Sequence, residues 1–367
     1  MTISPPCGIE ASAPGKLVVL GEYAVLHGAP ALVLAVGQRA RVTLRRIEGP
    51  DSILESSLWP GRKLRFRPAT VRLFEREEAE TRQALSLVQH VLAGFRSDFE
   101  ACLGERGAID LKLDTRDFYS GSGEASRKLG LGSSAALAVA LFGAVHTFVG
   151  TRRGSPHARA IWPALWRMYR GQPGQRGSGV DIAASCFGHW VRFQKHPAGD
   201  LPLLEPFSPP LRCPLLIVWT GHSTSTGGML ERFFRWEERE PDAFRREVDA
   251  LTRISEAGSE ALRTCDVNRF RLTIDQYAEA LQNLGRASGL EIMSEDHRRL
   301  RSLALKLNVS YKPSGAGAGD VGLAAAEKPG PLVVFRHQAE AIGYHVMELD
   351  QEAQGLEVQP LPEWASV

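Results

Sequence analysis

The segment that most constrains this chain is Gly130-Leu131-Gly132-Ser133-Ser134-Ala135-Ala136, where two glycines and two serines stand directly ahead of the apolar run Ala135 to Val149. Glycine permits positive φ and lets backbone approach a ligand closely. The free N–H groups of a helix's first turn, backed by its dipole, attract an anion. The run behind is so rich in Ala, Leu, Val and Phe that the helix it forms has to be buried, which holds such a loop rigidly. Gly130, Leu131, Gly132, Ser133, Ser134 and Ala135 are therefore candidate phosphate ligands, and the Ser134 hydroxyl can reach a Mg²⁺ ion. A glycine turn and a serine N-cap before an ordinary core helix account for the same letters equally well. The other motifs decide between the two.

A chain of 367 residues exceeds the usual single-domain range, so two domains are expected. Its 44 basic and 42 acidic residues leave a net charge of +2, which argues against a nucleic-acid or anionic-membrane partner. Aromatic residues are scattered and offer no stacking platform for single strands. Cys7, Cys102, Cys186, Cys213 and Cys265 show no C-x-x-C spacing, so neither a disulfide framework nor a zinc site is signalled, and a cytoplasmic location is expected. Met1 to Glu10 has no basic residue and does not read as a targeting leader. The run Ala135 to Val145 is too short to cross a bilayer. A small-molecule partner is expected, with the chain a monomer or a homodimer.

Leu17 to Leu20 and Ala31 to Val36 read as buried strands, and Arg41 to Leu44 as a half-buried antiparallel one. Residues 45–80, charged and irregular, read as a solvated surface insertion. Thr81 to Phe95 has helical spacing, Ile109 to Leu113 alternates, and Asp114 to Lys128 reads as a mobile segment feeding the glycine-serine loop. Residues 156–170 look helical. Pro197 to Pro214 is rich in helix breakers and marks the domain boundary, dividing 1–205 from 206–367. Leu215 to Trp219 opens a strand, and Met229 to Leu307 is helical with breaks near Cys265 and Gly289. Strands are expected again at Val321 to Ala326, Leu332 to Phe335 and Tyr344 to Leu349.

Four segments have the composition of a phosphotransfer site. They are Pro14-Gly15-Lys16 with Gly21-Glu22-Tyr23, the glycine-serine loop, Gly177-Ser178-Gly179-Val180-Asp181, and Lys312-Pro313-Ser314-Gly315-Ala316-Gly317-Ala318-Gly319-Asp320. Together they resemble the ordered motifs of the GHMP kinases, the galactokinase, homoserine kinase, mevalonate kinase and phosphomevalonate kinase family. That resemblance implies an α+β fold of two domains: an N-terminal mixed β/α nucleotide-binding domain and a C-terminal ferredoxin-like α/β sandwich. It also implies ATP and Mg²⁺ as cofactors.

The last motif, with its terminal Gly319-Asp320, is similar to the branch of the family whose acceptor is (R)-5-phosphomevalonate. Trp219-Thr220-Gly221, followed by Ser223 to Thr226, agrees with that branch, as does Tyr23, where mevalonate kinases typically place histidine. Mevalonate kinases also carry a Mg²⁺-binding glutamate eleven residues before the catalytic aspartate, and Arg170 stands there in this chain. Metal binding is thereby left to Ser134, nucleotide phosphates and water. Ala318 stands where most of these enzymes have glycine.

Phosphoryl transfer is chiefly alignment and neutralisation of spread negative charge, so it needs backbone N–H groups, metal and cations more than a nucleophile. Lys16 is the candidate cation, and Asp181 the residue that orients the acceptor or holds Lys16. A phosphate with a second pKa near ~6 is already ionised at neutral pH, so a phosphorylated acceptor asks Asp181 for positioning rather than proton abstraction. Tyr23, Arg176, Ser178, Gly179, Lys312, Ser314, Gly315, Ala316 and Gly317 are candidates for holding the acceptor, with Arg127 or Lys128 adding charge. His222 is a minor contact candidate, and His146 belongs to the core. Mevalonate or a sugar as acceptor, and a non-catalytic sensor of the same fold, are the alternatives. Gly317 to Gly322 fits G-x-G-x-x-G, but Pro313 disrupts the strand a dinucleotide site requires.

Overall fold

The computed structural model describes residues 7–361 except 69, 71–72, 76, 105–106, 122–125, 151–156, 197–200, 209–212, 224–225 and 352. Most of Met1 to Glu10, the middle of the 114–128 segment, much of the Pro197 to Pro214 junction, and Thr224 with Ser225 lie outside the described residues.

Two long strands form the spine of the first sheet. β1 (Gly8–Leu20) runs antiparallel to β2 (Ala31–Glu48), with register shifts after Pro14 and Val18. Ala31 to Val36 is buried throughout, and Val42 and Leu44 alternate with more exposed neighbours, so the two strand signals in the sequence are one strand. The far edge of β2 is long enough for two neighbours. β5 (Gly107–Asp114) pairs with its second half and β8 (Trp190–Gln194) with its first. Beyond β5 lie β3 (Ser52–Ser56), in parallel, and β4 (Lys63–Phe66); beyond β8 lies β9 (Leu203–Phe207). A two-stranded ribbon of β6 (Tyr119–Ser120) and β7 (Arg127–Lys128) stands apart.

The helices that accompany this sheet among the described residues are α1 (Ala79–Ala84), α2 (Ser86–Gly94), α3 (Arg96–Leu103), α4 (Ser133–Val149), α5 (Ala158–Arg170) and α6 (Val180–Phe187). Both α4 and α6 lie against β1 and β2.

The second sheet is built from β10 (Leu215–Trp219), β11 (Ser310–Ser314), β12 (Val321–Ala325) and β13 (His345–Glu348), all antiparallel, in the order β11-β12-β10-β13. Its helices are α7 (Thr226–Arg239), α8 (Pro241–Arg263), α9 (Val267–Ser288), α10 (Glu295–Lys306) and α11 (Pro329–Ala341). This βαββαβ arrangement is the expected ferredoxin-like sandwich, with extra helices between its first two strands.

Several expectations are corrected. Residues 45–80 are not a surface insertion: β3 and β4 extend the main sheet and bury Leu54, Leu64 and Phe66, while Phe74 packs beneath them. Lys63-Leu64-Arg65-Phe66 alternates exposed and buried positions, a strand pattern masked by its charges. Leu332 to Phe335 lies inside α11, opened by Pro329 at its first position; Leu332, Phe335 and Ala339 face inward at helical spacing while Val333 and Val334 stay exposed. The helix expected over Thr81 to Phe95 is broken at Leu85 into α1 and α2.

A division at 205/206 cuts through β9. A strand near the C-terminal end, β14 (Glu357–Pro360), returns to pair with β1, so 206–367 does not form one unit. The interior is continuous as well: Leu17, Leu20 and Leu34 share a hydrophobic cluster with Ile217, Phe233, Tyr277 and Ile292.

Candidate active site

The glycine-serine loop opens α4 without a serine cap. Its N-cap is Gly132, at φ 83° and ψ 33°, and no side chain accepts from the first turn, so those N–H groups stay available for an anion. Ser133 is buried and Ser134 exposed at this end. The loop is locked onto β1: the Lys16 N–H donates to the Leu131 carbonyl at 2.8 Å, and a Cβ on Gly15 would stand 2.4 Å from that oxygen. The Lys16 side chain then runs across Gly132, where a Cβ would meet its Cγ at 2.9 Å. Its Nζ ends 3.9 Å from the place a Cβ on Gly315 would occupy. One lysine thus reaches from the glycine-serine loop to the glycine loop of the second sheet.

Both loops border a cleft of about 510 Å³. Lys16, Asp181, Gly130, Gly132, Ser133, Ser134, Ala135, Tyr23, Arg176, Ser178, Ser314, Gly315 and Ala316, all expected from the sequence, line it. Asp181 is the second residue of α6, whose N-cap is Gly179 at φ 85°, so the aspartate does not cap that helix. Its Oδ1 accepts from the Ile182 N–H at 3.0 Å. The loop before it sits on aromatic rings: a Cβ on Gly179 would come within 2.4 Å of Trp166, and one on Gly177 within 2.7 Å of the Tyr169 hydroxyl. Burial and the Asp181 charge raise the Tyr169 phenol well above its usual range. Arg176 lies at the rim with its guanidinium 5.9 Å from the Phe234 ring. Among the described residues, Lys16 and Asp181 form no ion pair with each other.

From the other side, the Tyr23 hydroxyl donates to the Ala316 carbonyl at 2.5 Å, and the buried Ser314 hydroxyl donates to the Val18 carbonyl at 2.8 Å. Burial lifts the Tyr23 phenol above its usual range. Four expected ligands fall outside the cleft lining. Lys312 is fully buried, with its ammonium on Glu22 Oε1 and on its neighbour's carbonyl, Pro313 O, at 2.7 Å, so it is not a cation offered to substrate. Leu131 turns its side chain into the core and contributes backbone. Gly317 makes room for Ile292, whose carbonyl a Cβ would approach to 2.5 Å, and Gly179 serves as a helix cap. His222 pairs with Asp296 at 3.2 Å away from the cleft, and His146 stacks on Phe142 as expected. Arg170 is exposed, with its guanidinium 6.0 Å from the Trp166 ring.

Two residues of the motifs, Asp320 and Glu22, line the cleft without a role assigned from the sequence. A Cβ on Gly130 would lie 2.5 Å from Asp320 Cβ, so that carboxylate rests against the glycine-serine loop. Lys128 lines the same wall; burial lowers its ammonium pKa, the Asp320 charge raises it and the Lys16 charge lowers it further. Glu22 reaches the cleft from the Gly21-Glu22-Tyr23 turn.

No family model matches the chain. A phosphomevalonate kinase from Streptomyces sp. (strain CL190) is 29% identical to it over 374 aligned positions, covering 94% of this chain and 97% of that protein. The chain is similar to GHMP kinases over nearly its whole length. The chain is also 25% identical over 256 residues to a mevalonate kinase from Thermococcus sibiricus, covering 69% of this chain and 70% of that one. The fold is shared with Streptococcus pneumoniae phosphomevalonate kinase, solved with phosphomevalonate and AMPPNP, at a TM-score of 0.71 and 18% identity, covering 93% of this chain and 99% of that one.

Proposed function

We propose that this chain is a GHMP kinase that transfers the γ-phosphoryl group of ATP to the phosphate of (R)-5-phosphomevalonate, giving 5-diphosphomevalonate and ADP in the mevalonate pathway. The observation that carries the reading is the placement of Lys16. Its backbone is fixed to the phosphate loop at Leu131, and its ammonium reaches the Gly315 loop on the opposite wall. Donor and acceptor phosphates both lie within its reach, and Arg176 and Lys128 add positive charge to the same cleft, as two facing phosphates require.

The α4 N–H groups bind the nucleotide's phosphate tail, and Tyr23 with Ala316 closes the acceptor side. Asp181, facing the same space, aligns the acceptor; an ionised phosphate needs no base. A magnesium ion fits the exposed Ser134 hydroxyl, with its remaining ligands drawn from nucleotide and water, and supplies charge neutralisation when bound. Among the described residues no group of three or more His, Cys, Asp or Glu offers a cage for it. Ser134→Ala is expected to raise the magnesium concentration needed for half-maximal rate.

The deciding experiment is ADP release with 5-phosphomevalonate, mevalonate, galactose and homoserine supplied separately. Turnover restricted to 5-phosphomevalonate supports the proposal, and preference for mevalonate replaces it with mevalonate kinase activity. Binding of ATP and 5-phosphomevalonate without product would point to a sensor.

A further inference from the structure

Beneath the turn that joins β11 to β12 lies a buried polar chain that the proposed reaction does not touch. His297, on the first turn of α10, has no solvent exposure. Its Nε2 stands 3.1 Å from the Gly319 carbonyl and its Nδ1 2.9 Å from the Tyr311 hydroxyl. A carbonyl oxygen only accepts, so Nε2 carries the proton and donates; Nδ1 then accepts from Tyr311. Burial pulls the imidazole down to about 4, which keeps it neutral as this pattern demands. Room for the phenol comes from Gly322, where a Cβ would lie 2.0 Å from the Tyr311 hydroxyl.

The turn needs holding. Ala318 and Asp320 flank Gly319 at φ 67° and 56°, left-handed values that non-glycine residues keep only where surrounding contacts over-determine them. Upstream the same turn carries Gly315 and Ala316 into the cleft, and at its end it sets Asp320 against Gly130.

We infer that His297 is a positioning residue: its Nε2–H bond to the Gly319 carbonyl fixes the turn that presents Ala316 to one side of the cleft and Asp320 to the other. Its kinetic consequence rests on the proposed kinase activity, whereas its structural consequence does not. Glutamine places an amide nitrogen where Nε2 stands; asparagine reaches only the Nδ1 position. His297→Gln therefore retains a donor for Gly319, and His297→Asn leaves that buried carbonyl unpaired.

The test compares the two variants by steady-state kinetics with 5-phosphomevalonate and by amide hydrogen exchange across residues 315–321. His297→Asn is expected to lower kcat/KM about tenfold and to speed exchange in that segment, while His297→Gln stays within about threefold of the parent with parental exchange. The inference is overturned if a folded His297→Asn matches the parent in both measurements, or if the two variants are equally impaired. A parent that does not phosphorylate 5-phosphomevalonate sinks the proposed function, and the exchange comparison then decides this inference alone. Where His297→Asn does not fold, Tyr311→Phe frees Nδ1 from the other end; unchanged exchange over 315–321 in that variant also overturns it.

Discussion

Glu22 and Lys312 form a buried ion pair that ties the turn after β1 to β11, with the Glu22 side chain 2% and the Lys312 side chain 0% exposed. Burial pushes the Glu22 carboxyl up and the Lys312 ammonium down, each opposed by the charge of the other. The Tyr277 hydroxyl donates to the Glu22 carbonyl at 2.8 Å and its ring lies 5.7 Å from the Lys312 ammonium, whereas Glu22 Oε2 has no hydrogen-bond partner among the described residues. Removing one partner strands a charge in an apolar interior. Lys312→Met is expected to cost about 3–5 kcal/mol of unfolding free energy, and Glu22→Gln combined with it to recover most of that loss. Urea denaturation of the single and double variants checks this; a double variant as unstable as the single one would show that packing, not charge, sets the cost.

Asp181→Asn keeps the shape of the side chain and its acceptor for the Ile182 N–H while removing the charge. A kcat lower by about a hundredfold or more is expected, with the melting temperature close to that of the parent. The pH profile separates alignment from proton abstraction. If the acceptor ionises on its own, kcat/KM rises through pH ~6 in the parent and in the variant alike. Loss of that rise in Asp181→Asn would make the aspartate a base.

Gly132→Ala tests the phosphate loop. The position has φ 83°, and the added methyl would stand 2.9 Å from Lys16 Cγ, so the change strains the loop and displaces the lysine together. The KM for ATP is expected to rise about tenfold or more. Isothermal titration with a non-hydrolysable ATP analogue checks it, and parental affinity would place the nucleotide elsewhere.

Much of this site could be read from the sequence because its parts are backbone devices. Glycines and serines at fixed offsets from a buried helix mark the proposed phosphate loop, and Pro14-Gly15-Lys16 marks the strand that carries Lys16 to the cleft. What escaped was the sign of a lysine's surroundings. Lys312 has the letters of an anion ligand, yet its burial depends on Glu22, 290 positions earlier, and no local pattern announces such a partner. Asp320 closes a recognisable motif, but only the fold sets it against Gly130. The same limit applies to the fold: the return of β14 to β1 is a pairing between the two ends of the chain, invisible to periodicity. Leu332 to Phe335 misled because four consecutive apolar residues fit a strand as well as a helix, and the deciding information was the Pro329 start and the one-sided burial of α11.

His297 gives the stability of the protein a pH dependence whose sign can be worked out. The imidazole is held neutral in the folded state, with its pKa lowered from 6.5 to about 4 by burial, and titrates near its ordinary value when unfolded. As pH falls below about 6.5 the unfolded chain takes up a proton that the native state refuses. Stability is therefore full above that pH, falls progressively as the medium is acidified, and levels off near pH 4, a span worth about 3 kcal/mol of which about 2 kcal/mol is gone by pH 5. His27 and His146, also lowered by burial, titrate in parent and variant alike and cancel in a comparison. The unfolding free energy of the parent minus that of His297→Gln is thus expected to shrink by about 2 kcal/mol between pH 7.5 and pH 5. Urea denaturation at the two pH values measures it, and a difference that stays constant would mean that the buried imidazole takes up its proton at the same pH in the native protein as in the unfolded chain.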